Sequence, residues 1–332
     1  MSIDVRPLDD PDRWDDLLEA TEQPTPFHSS GTLDVLATQV GADCHRLVGY
    51  VGEEPIGLFP LFTLSRGPVS AVFSPPPDLK VPYLGPTLLN RHSVKRRRRD
   101  KRHKRFVDAC LRWVEDAENP QFVQIRTAPG YDDVRPFVWQ DFSATPRYTY
   151  VVDLSRDSDD LLAAFSSDAR RNVSGDYDTD YVIEEGGVDV IEQVLSQLQE
   201  RHAEQGEAFP IDAAFVTDLY ETLEDGVVRP YVCRVDGEFA GGNVNVEADG
   251  GSYRWLGGAK PDADIPVNDL LDWRYLSDAS QRGVETYDLA GANDERIARY
   301  KAKFAPELVP YYRLRGGARP LTTLLRLYDA VR

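Results

Sequence analysis

The chain uses lysine sparingly, and two of its lysines stand close together near the C-terminus. Seven of the 332 residues are lysines, against 31 arginines. Lys301 and Lys303 belong to the run Tyr300-Lys301-Ala302-Lys303-Phe304. An ammonium group can stabilise a developing oxyanion or hold a substrate phosphate. The same spacing is typical of a solvated helix face, so the residues alone leave both interpretations open.

Three further residues have the chemistry to hold an anion. Arg170 and Arg171 lie on a predicted helix, and a guanidinium can bind a phosphate or carboxylate through two hydrogen bonds. They can equally be a surface pair balanced by Asp168 and Asp176. Asn268 lies in the first turn of another predicted helix, where free N–H groups bind anions or polarise a carbonyl. Ordinary helix capping is the alternative there.

Several polar and aromatic residues fall on predicted strands. Asn243 and Asn245 stand in mid-strand, where asparagine is disfavoured, so they either present an amide to a cleft or mark a bulge. Tyr253 and Trp255 alternate, which is typical of an acceptor channel or of a half-buried sheet face. Asp288 stands at a strand end, where it can act as a general base or as a structural cap.

The acidity of the chain indicates its solvent more than its partners. The net charge is −18, and 37 Asp outnumber 19 Glu. At molar salt the Debye length is only about 3 Å, so dense surface carboxylates repel each other little. The composition therefore predicts an extremely halophilic host. It argues weakly against ordinary nucleic-acid binding, because phosphate contacts weaken as salt rises.

One segment, residues 91–105, reverses this acidity. It carries ten Lys or Arg and one Asp, a charge of +9, so the rest of the chain carries −27. Three interpretations stay open: a docking surface for tRNA or another polyanion, a contact with anionic lipid headgroups, or a solvated helix start neutralised by the acidic body.

Several classes of protein are excluded or disfavoured by missing patterns. No apolar run is long enough to span a membrane, and no signal peptide opens the chain, so we expect a cytoplasmic protein with no transmembrane segment. The three cysteines fit neither a disulfide framework nor a zinc site. No metalloprotease, Walker, nucleophile-elbow or dinucleotide motif occurs, so we expect no metal.

The order of predicted elements indicates an α+β (mixed α/β) chain with two domains. In the second region a strand and helices precede three antiparallel strands, a helix, a strand, a helix and a strand. The hairpin at residues 52–58 is similar to the one at residues 235–241, which suggests related domains. We place an N-terminal domain at 1–145 and a C-terminal domain at 146–332. The last helix, 318–331, is assigned to packing on the first.

The second region resembles the FemA/FemB-like (BioF2-like) branch of GNAT acyltransferases. The resemblance covers about half the chain. Four stretches carry it: residues 148–172, residues 236–246, residues 252–258 with the helix from Pro266, and residues 283–289 with the aromatic–Lys–x–x–Phe element at Tyr300–Phe304.

The resemblance implies two GNAT-like domains, each a mixed, mostly antiparallel sheet flanked by helices, with the first domain degenerate. It implies transfer of an acyl or aminoacyl group, from an acyl-CoA thioester or an aminoacyl-tRNA, onto an amine or hydroxyl by direct attack. The acceptor would be a small molecule or a cell-envelope precursor, since the family's best-known role is peptidoglycan cross-bridge synthesis. We expect the reaction in a cleft between the strands that start near Phe239 and Val284.

Roles for individual residues follow from this resemblance. Lys301 and Asp288 become candidate catalytic residues; the candidate substrate-binding residues are Arg170, Arg171, Asn243, Trp255, Asn268, Tyr300 and Lys303. The usual CoA-binding R-x-x-G-x-G/A loop is missing, because residues 259–268 contain no glycine and include Asp262 and Asp264. That departure leaves the donor open. The alternative function is a non-catalytic GNAT-fold protein that docks on a polyanion through residues 91–105.

Overall fold

The computed structural model of the chain describes residues 3–22, 24–89, 95–248, 250–260 and 263–317. They form two compact units. Unit 1 comprises the chain up to Arg147 and the residues from Pro310 onward, and unit 2 runs from Tyr148 to Val309.

Among the described residues, the first half of the chain supplies seven strands and four α-helices. In chain order these are β1 (Asp4–Pro7), α1 (Pro11–Glu19), α2 (Ser30–Val40), β2 (Asp43–Val51), β3 (Glu54–Arg66), β4 (Val69–Ser74), β5 (Thr87–Leu88), α3 (Arg96–Glu118), β6 (Phe122–Arg126), α4 (Arg135–Val138) and β7 (Ser143–Asp153).

The second half supplies six strands and six helices among the described residues. They are α5 (Ser158–Ala164), α6 (Ser167–Val173), β8 (Tyr181–Glu185), α7 (Val188–Glu204), α8 (Ala213–Thr222), β9 (Val228–Val235), β10 (Glu238–Ala248), β11 (Gly251–Ala259), α9 (Val267–Gln281), β12 (Thr286–Asp288), α10 (Glu295–Lys301) and β13 (Glu307–Gly317).

Both units repeat one pattern of strand pairing, which confirms the predicted pair of mixed, mostly antiparallel sheets. In unit 1, β1 to β4 pair antiparallel in sequence order, β4 then pairs parallel with β6, and β6 pairs antiparallel with β13. In unit 2, β8 to β11 pair antiparallel, β11 pairs parallel with β12, and β12 pairs antiparallel with β7.

The sheet of unit 2 is folded by local signals that the sequence displays. Asp236 and Gly237 join β9 to β10 with positive φ at both residues, as a two-residue hairpin turn requires. Helix α9 begins just after Pro266 and buries Leu270, Leu271 and Leu276. These leucines join an apolar core with residues from β7, β9, β12 and α6. The core fixes α9 across the sheet, and the site described below lies at its N-terminal end.

The final strand differs from its expected place. The sequence puts the domain boundary at 145/146 and assigns the final strand to the C-terminal domain, whereas β13 pairs with β6 from Arg313 to Gly317 and belongs to unit 1 from Pro310. A strand pattern does not reveal its partner, because pairing is decided by which sheet edge the chain reaches. The expected helix at 318–331 lies outside the described residues. None of the described helices is long and apolar enough to cross a membrane.

Candidate active site of unit 2

The sheet of unit 2 opens into a wedge between its two parallel strands. Pairing of β11 with β12 ends at Tyr253 and Asp288, although β11 continues to Ala259. Opposite β10, the register shifts at Val244/Asn245, so that Trp255 is the extra residue of a bulge in β11. The prediction of a cleft between the strands near Phe239 and Val284 is therefore wrong in detail. These strands are β10 and β12, and β11 lies between them.

A pocket of about 390 Å³ lies at the N-terminal end of α9. Residues from α6, α7, the end of β11, the segment that leads into α9, the start of α9, α10 and the segment after α10 line it. Three predicted substrate-binding residues are among them: Asn268, Tyr300 and Lys303. The other described lining residues are Asn172, Arg201, Ala259, Lys260, Ala263, Ile265, Pro266, Val267 and Asp269.

The pocket is a cationic site. Its described lining residues include three cations, Arg201, Lys260 and Lys303, and one carboxylate, Asp269. Lys303 Nζ lies 2.5 Å and Asn172 Nδ2 2.6 Å from the two oxygens of Asp269, so the Lys303–Asp269 pair cancels, and Arg201 and Lys260 give the described lining a net charge of +2. The first turn of α9 adds the positive end of the helix dipole. The pocket therefore favours a negatively charged group such as a phosphate.

Behind the pocket lies a buried network of charges and hydrogen bonds. Asp272 is fully buried on α9, where Arg254 Nε lies 2.8 Å away and the Tyr300 hydroxyl donates to it at 2.9 Å. Burial raises the pKa of Tyr300, which keeps this hydroxyl protonated. Lys303 Nζ lies 4.1 Å from the centre of the Tyr300 ring. Tyr300 thereby joins the pocket to the buried Arg254–Asp272 pair.

The two strand asparagines belong to this buried interior. Tyr287 donates to Asn245 at 2.8 Å, and Asn245 donates to Asn243 at 2.8 Å. Both asparagines are fully buried and lie beside the bulge. Asn243 Nδ2 has no hydrogen-bond partner in the described structure. The structure therefore favours the bulge over direct presentation of an amide to the pocket.

Lys301 and Asp288 hold the loop after β12 instead of lining the pocket. Lys301 is 6% exposed, and its Nζ donates to the carbonyl oxygens of Ala290 at 3.0 Å and Gly291 at 2.9 Å. Asp288 accepts hydrogen bonds from Thr149 Oγ1 at 2.5 Å and from the Ala290 N–H at 2.7 Å. Ala290 and Gly291 both have positive φ, so these contacts fix a tight turn at the mouth of the wedge.

The remaining candidates lie away from the pocket. Arg170 donates to the carbonyl oxygens of Ala163 and Phe165 and so closes the end of α5. Arg171 is exposed on α6. Trp255 is 8% exposed and packs against the Phe215 ring, with centroids 5.9 Å apart.

Sequence reasoning missed five charged residues of the site: Arg201, Lys260, Asp269, Arg254 and Asp272. A signal was available for two of them. Asp269 and Asp272 flank Leu270 and Leu271 in a helix whose apolar residues predict burial, and a buried carboxylate needs a partner. Arg201 and Lys260 carry no such signal, because exposed cations are ordinary on a surface.

The buried ammonium of Lys301 predicts a pH-dependent stability. Burial foremost lowers its pKa from 10.5 to about 8, and the nearby Arg254 adds to the shift. Between these pH values the unfolded chain holds a proton that the folded protein does not, so stability rises as pH increases. The quantity to measure is the free energy of unfolding of the wild type minus that of Lys301→Met. We expect this difference to rise by about 3 kcal/mol as the pH increases from 7.5 to 10.5. Urea denaturation across this range measures the difference, and a flat difference contradicts the assignment.

Comparison with known proteins agrees with this geometry. Residues 163–302 match the family model described as an acetyltransferase (GNAT) domain. No curated protein matches the chain by sequence. Among solved structures, FemX aligns over 97% of this chain and 99% of its own, with a TM-score of 0.73 and 13% identity. A tandem GNAT protein from the clavulanic acid biosynthesis pathway aligns over 96% of this chain and 99% of its own, with a TM-score of 0.55 and 12% identity.

A third similar structure is the C-terminal domain of a putative lysylphosphatidylglycerol synthetase from Agrobacterium fabrum. It aligns over 96% of this chain and 94% of its own, with a TM-score of 0.56 and 14% identity. Residues 163–302 thus form an acyltransferase domain of the GNAT type. The fold of the chain is shared with FemX, which agrees with the resemblance of the sequence to the FemA/FemB-like branch.

Proposed function

We propose that unit 2 transfers an acyl or aminoacyl group from a phosphate-bearing donor onto an amine or hydroxyl. The observation that carries the proposal is the cationic pocket at the N-terminus of α9, whose described lining residues, Lys303 excepted, lie inside the part of the chain that matches the GNAT model. Acyl-CoA carries a pyrophosphate at the far end of the pantetheine arm from its thioester, and aminoacyl-tRNA carries a phosphate on the nucleotide that bears the aminoacyl ester. Arg201, Lys260 and Lys303 supply the charge-assisted hydrogen bonds that such a phosphate accepts.

The transfer itself proceeds by direct attack. The acceptor nucleophile adds to the donor carbonyl, a C–N or C–O bond forms, and the C–S or C–O bond of the donor breaks. The CoA thiolate or the ribose oxygen of the tRNA leaves with the electron pair and takes up a proton from solvent, while the acceptor loses a proton to solvent. An enzyme-bound thioester intermediate would need an ionised thiol, but burial raises the pKa of Cys233, the cysteine of unit 2, to about 11. In this proposal Lys301 and Asp288 are positioning residues that fix the loop at the wedge.

The acceptor we propose is a cell-envelope precursor or a lipid that carries an amine or hydroxyl. Two observations support it. The fold is shared with FemX, and it is also shared with a protein whose name, lysylphosphatidylglycerol synthetase, specifies a lipid product.

The test removes the two exposed cations of the pocket. Arg201→Gln/Lys260→Gln leaves the Lys303–Asp269 pair intact, so folding is preserved. We expect the KM for the donor to rise about tenfold for each lost charge-assisted hydrogen bond, with kcat nearly unchanged. Initial rates are measured with labelled acetyl-CoA and, separately, with total tRNA charged with labelled amino acids, against an extract of polar lipids and envelope precursors.

Arg299→Gln is the matched control, because Arg299 is highly exposed on α10 and is absent from the pocket lining. The donor whose KM rises in the double variant, and not in this control, is the donor of the enzyme. If the double variant and Arg299→Gln have the same KM for each of the two donors, the proposed phosphate site is contradicted. Absence of transfer by the wild type with either donor contradicts the proposed function and leaves polyanion binding as the alternative.

A further inference from the structure

The described part of the basic segment, residues 95–105, forms the start and the N-terminal half of α3 in unit 1. Lys95, Arg96, Arg97, Arg98 and Lys101 are exposed. The helix has no acidic residue in its first turn and no side-chain cap. Four arginines at the positive end of a helix dipole are unfavourable for the helix itself. Such an arrangement needs a stabilising partner outside the helix.

The acidic body of the protein does not supply this partner. No carboxylate of the described residues lies within ion-pair distance of Arg96, Arg97 or Lys101. The acid within the segment, Asp100, is engaged by Arg135 of α4 at 3.9 Å. For these three side chains, the structure therefore does not support the interpretation that the acidic body neutralises the helix.

A groove on one flank of α3 has the form of a phosphate site. It encloses about 180 Å³ between Arg98, Lys101, Arg102 and Arg105, with Ile3 and Val51 as an apolar floor. Arg102 is held in place by a bidentate bond to Glu54, with both distances 2.9 Å. Arg98 and Lys101 are exposed beside this pair, so the groove presents positive charge around an apolar base.

Large apolar side chains are exposed beside the same helix. Trp139 is 55% exposed and Val138 is 47% exposed at the end of α4. Gln140 donates to Asp108 of α3 at 2.8 Å, which ties this end of α4 to α3. The Arg135 guanidinium lies 5.6 Å from the centre of the Trp139 ring. Because a cation already covers the ring, Trp139 is poorly placed to stack on a nucleic-acid base.

We propose that α3 and the Val138–Trp139 pair form a surface that docks unit 1 on an anionic lipid bilayer. Basic side chains beside exposed tryptophan and valine are the combination that binds a membrane interface, where charge attracts the headgroups and the aromatic ring enters the headgroup region. The occupant of the groove is the phosphate of an anionic lipid. The proposal does not depend on the transfer reaction, since none of these residues lines the pocket of unit 2.

The full chain is tested by co-sedimentation with vesicles. One set contains only phosphatidylcholine, and the other includes about 30 mol % phosphatidylglycerol. We expect binding to the anionic vesicles alone, strongest at about 0.1 M KCl and weaker toward the molar salt predicted for the host. Arg96→Glu/Arg97→Glu/Lys101→Glu should weaken that binding about a hundredfold or more, because each basic residue near the surface contributes a factor of roughly five.

The matched control is Arg13→Glu/Arg156→Glu/Arg299→Glu, which makes the same change in net charge at exposed sites on other elements. This control should still bind anionic vesicles, whereas the α3 reversal should not. Brominated lipids should quench the fluorescence of the wild type and not that of Trp139→Phe.

Three results overturn the proposal. The first is equal binding of the wild type to both vesicle types, and the second is equal loss in the α3 reversal and its control. The third is binding to unfractionated tRNA that depends on α3, without binding to anionic vesicles, because it identifies an RNA surface instead. Circular dichroism of each variant confirms that it remains folded.

Discussion

Replacing Asp272 by leucine is expected to lower the free energy of unfolding by about 3–5 kcal/mol. Asp272 is fully buried and is paired with Arg254, whose side chain is 14% exposed. Without the carboxylate, a largely buried guanidinium keeps its charge and loses its partner, and the Tyr300 hydroxyl loses its acceptor. Urea denaturation followed by circular dichroism measures the loss.

A double variant can separate the effect of losing the Arg254–Asp272 charge pair from the effect of any mutation on α9. Arg254→Met/Asp272→Leu replaces both charges by apolar groups, and this double variant should recover most of the lost stability. Asp218→Leu is the control for an exposed helix carboxylate, and its effect should stay within about 0.5 kcal/mol. A double variant as unstable as Asp272→Leu would show that the charge pair is not the cause.

The second large effect is expected at the bulge of β11. Gly257 has φ +125°, and a Cβ there would lie 2.3 Å from the Gly242 carbonyl oxygen and 2.5 Å from the Asn243 Cα. Both contacts are to backbone, so β10 and β11 would have to separate. We expect Gly257→Ala to cost about 3 kcal/mol or more, from backbone strain and overpacking together.

Activity should fall in the same variant, because a shift of β11 carries Ala259 and Lys260 at the edge of the pocket with it. Gly237→Ala is the matched control: Gly237 also has positive φ, at +83°, but a Cβ there meets nothing within 4 Å. It should cost only about 1 kcal/mol. Equal stability and transfer rates in the two variants would contradict the role assigned to the bulge.

The motif at Tyr300–Phe304 shows how much of a site a sequence pattern can predict. Tyr300, Lys301 and Lys303 are close in sequence, and the resemblance gave Lys301 the central role. Helical geometry turns the three side chains in different directions, so Lys303 and Tyr300 reach the pocket while Lys301 points to the loop after β12. Which neighbour faces the pocket depends on the direction of α10, and a sequence motif does not contain that direction.

The sequence by itself determined the elements and the class of fold, because these depend on local periodicity, turn residues and a family pattern. The hairpin at Asp236-Gly237, the helix after Pro266 and the mostly antiparallel sheets follow from such signals. The sequence also determined that residues 91–105 are basic, because the charge of a segment follows from its residue types alone.

Only the tertiary structure decided how distant residues are brought together. It placed β13 in unit 1, put Arg201 of α7 next to Lys260 and Lys303, and buried Arg254 against Asp272. These contacts join residues from separate elements, and their energies depend on burial and distance, which are properties of the folded chain alone.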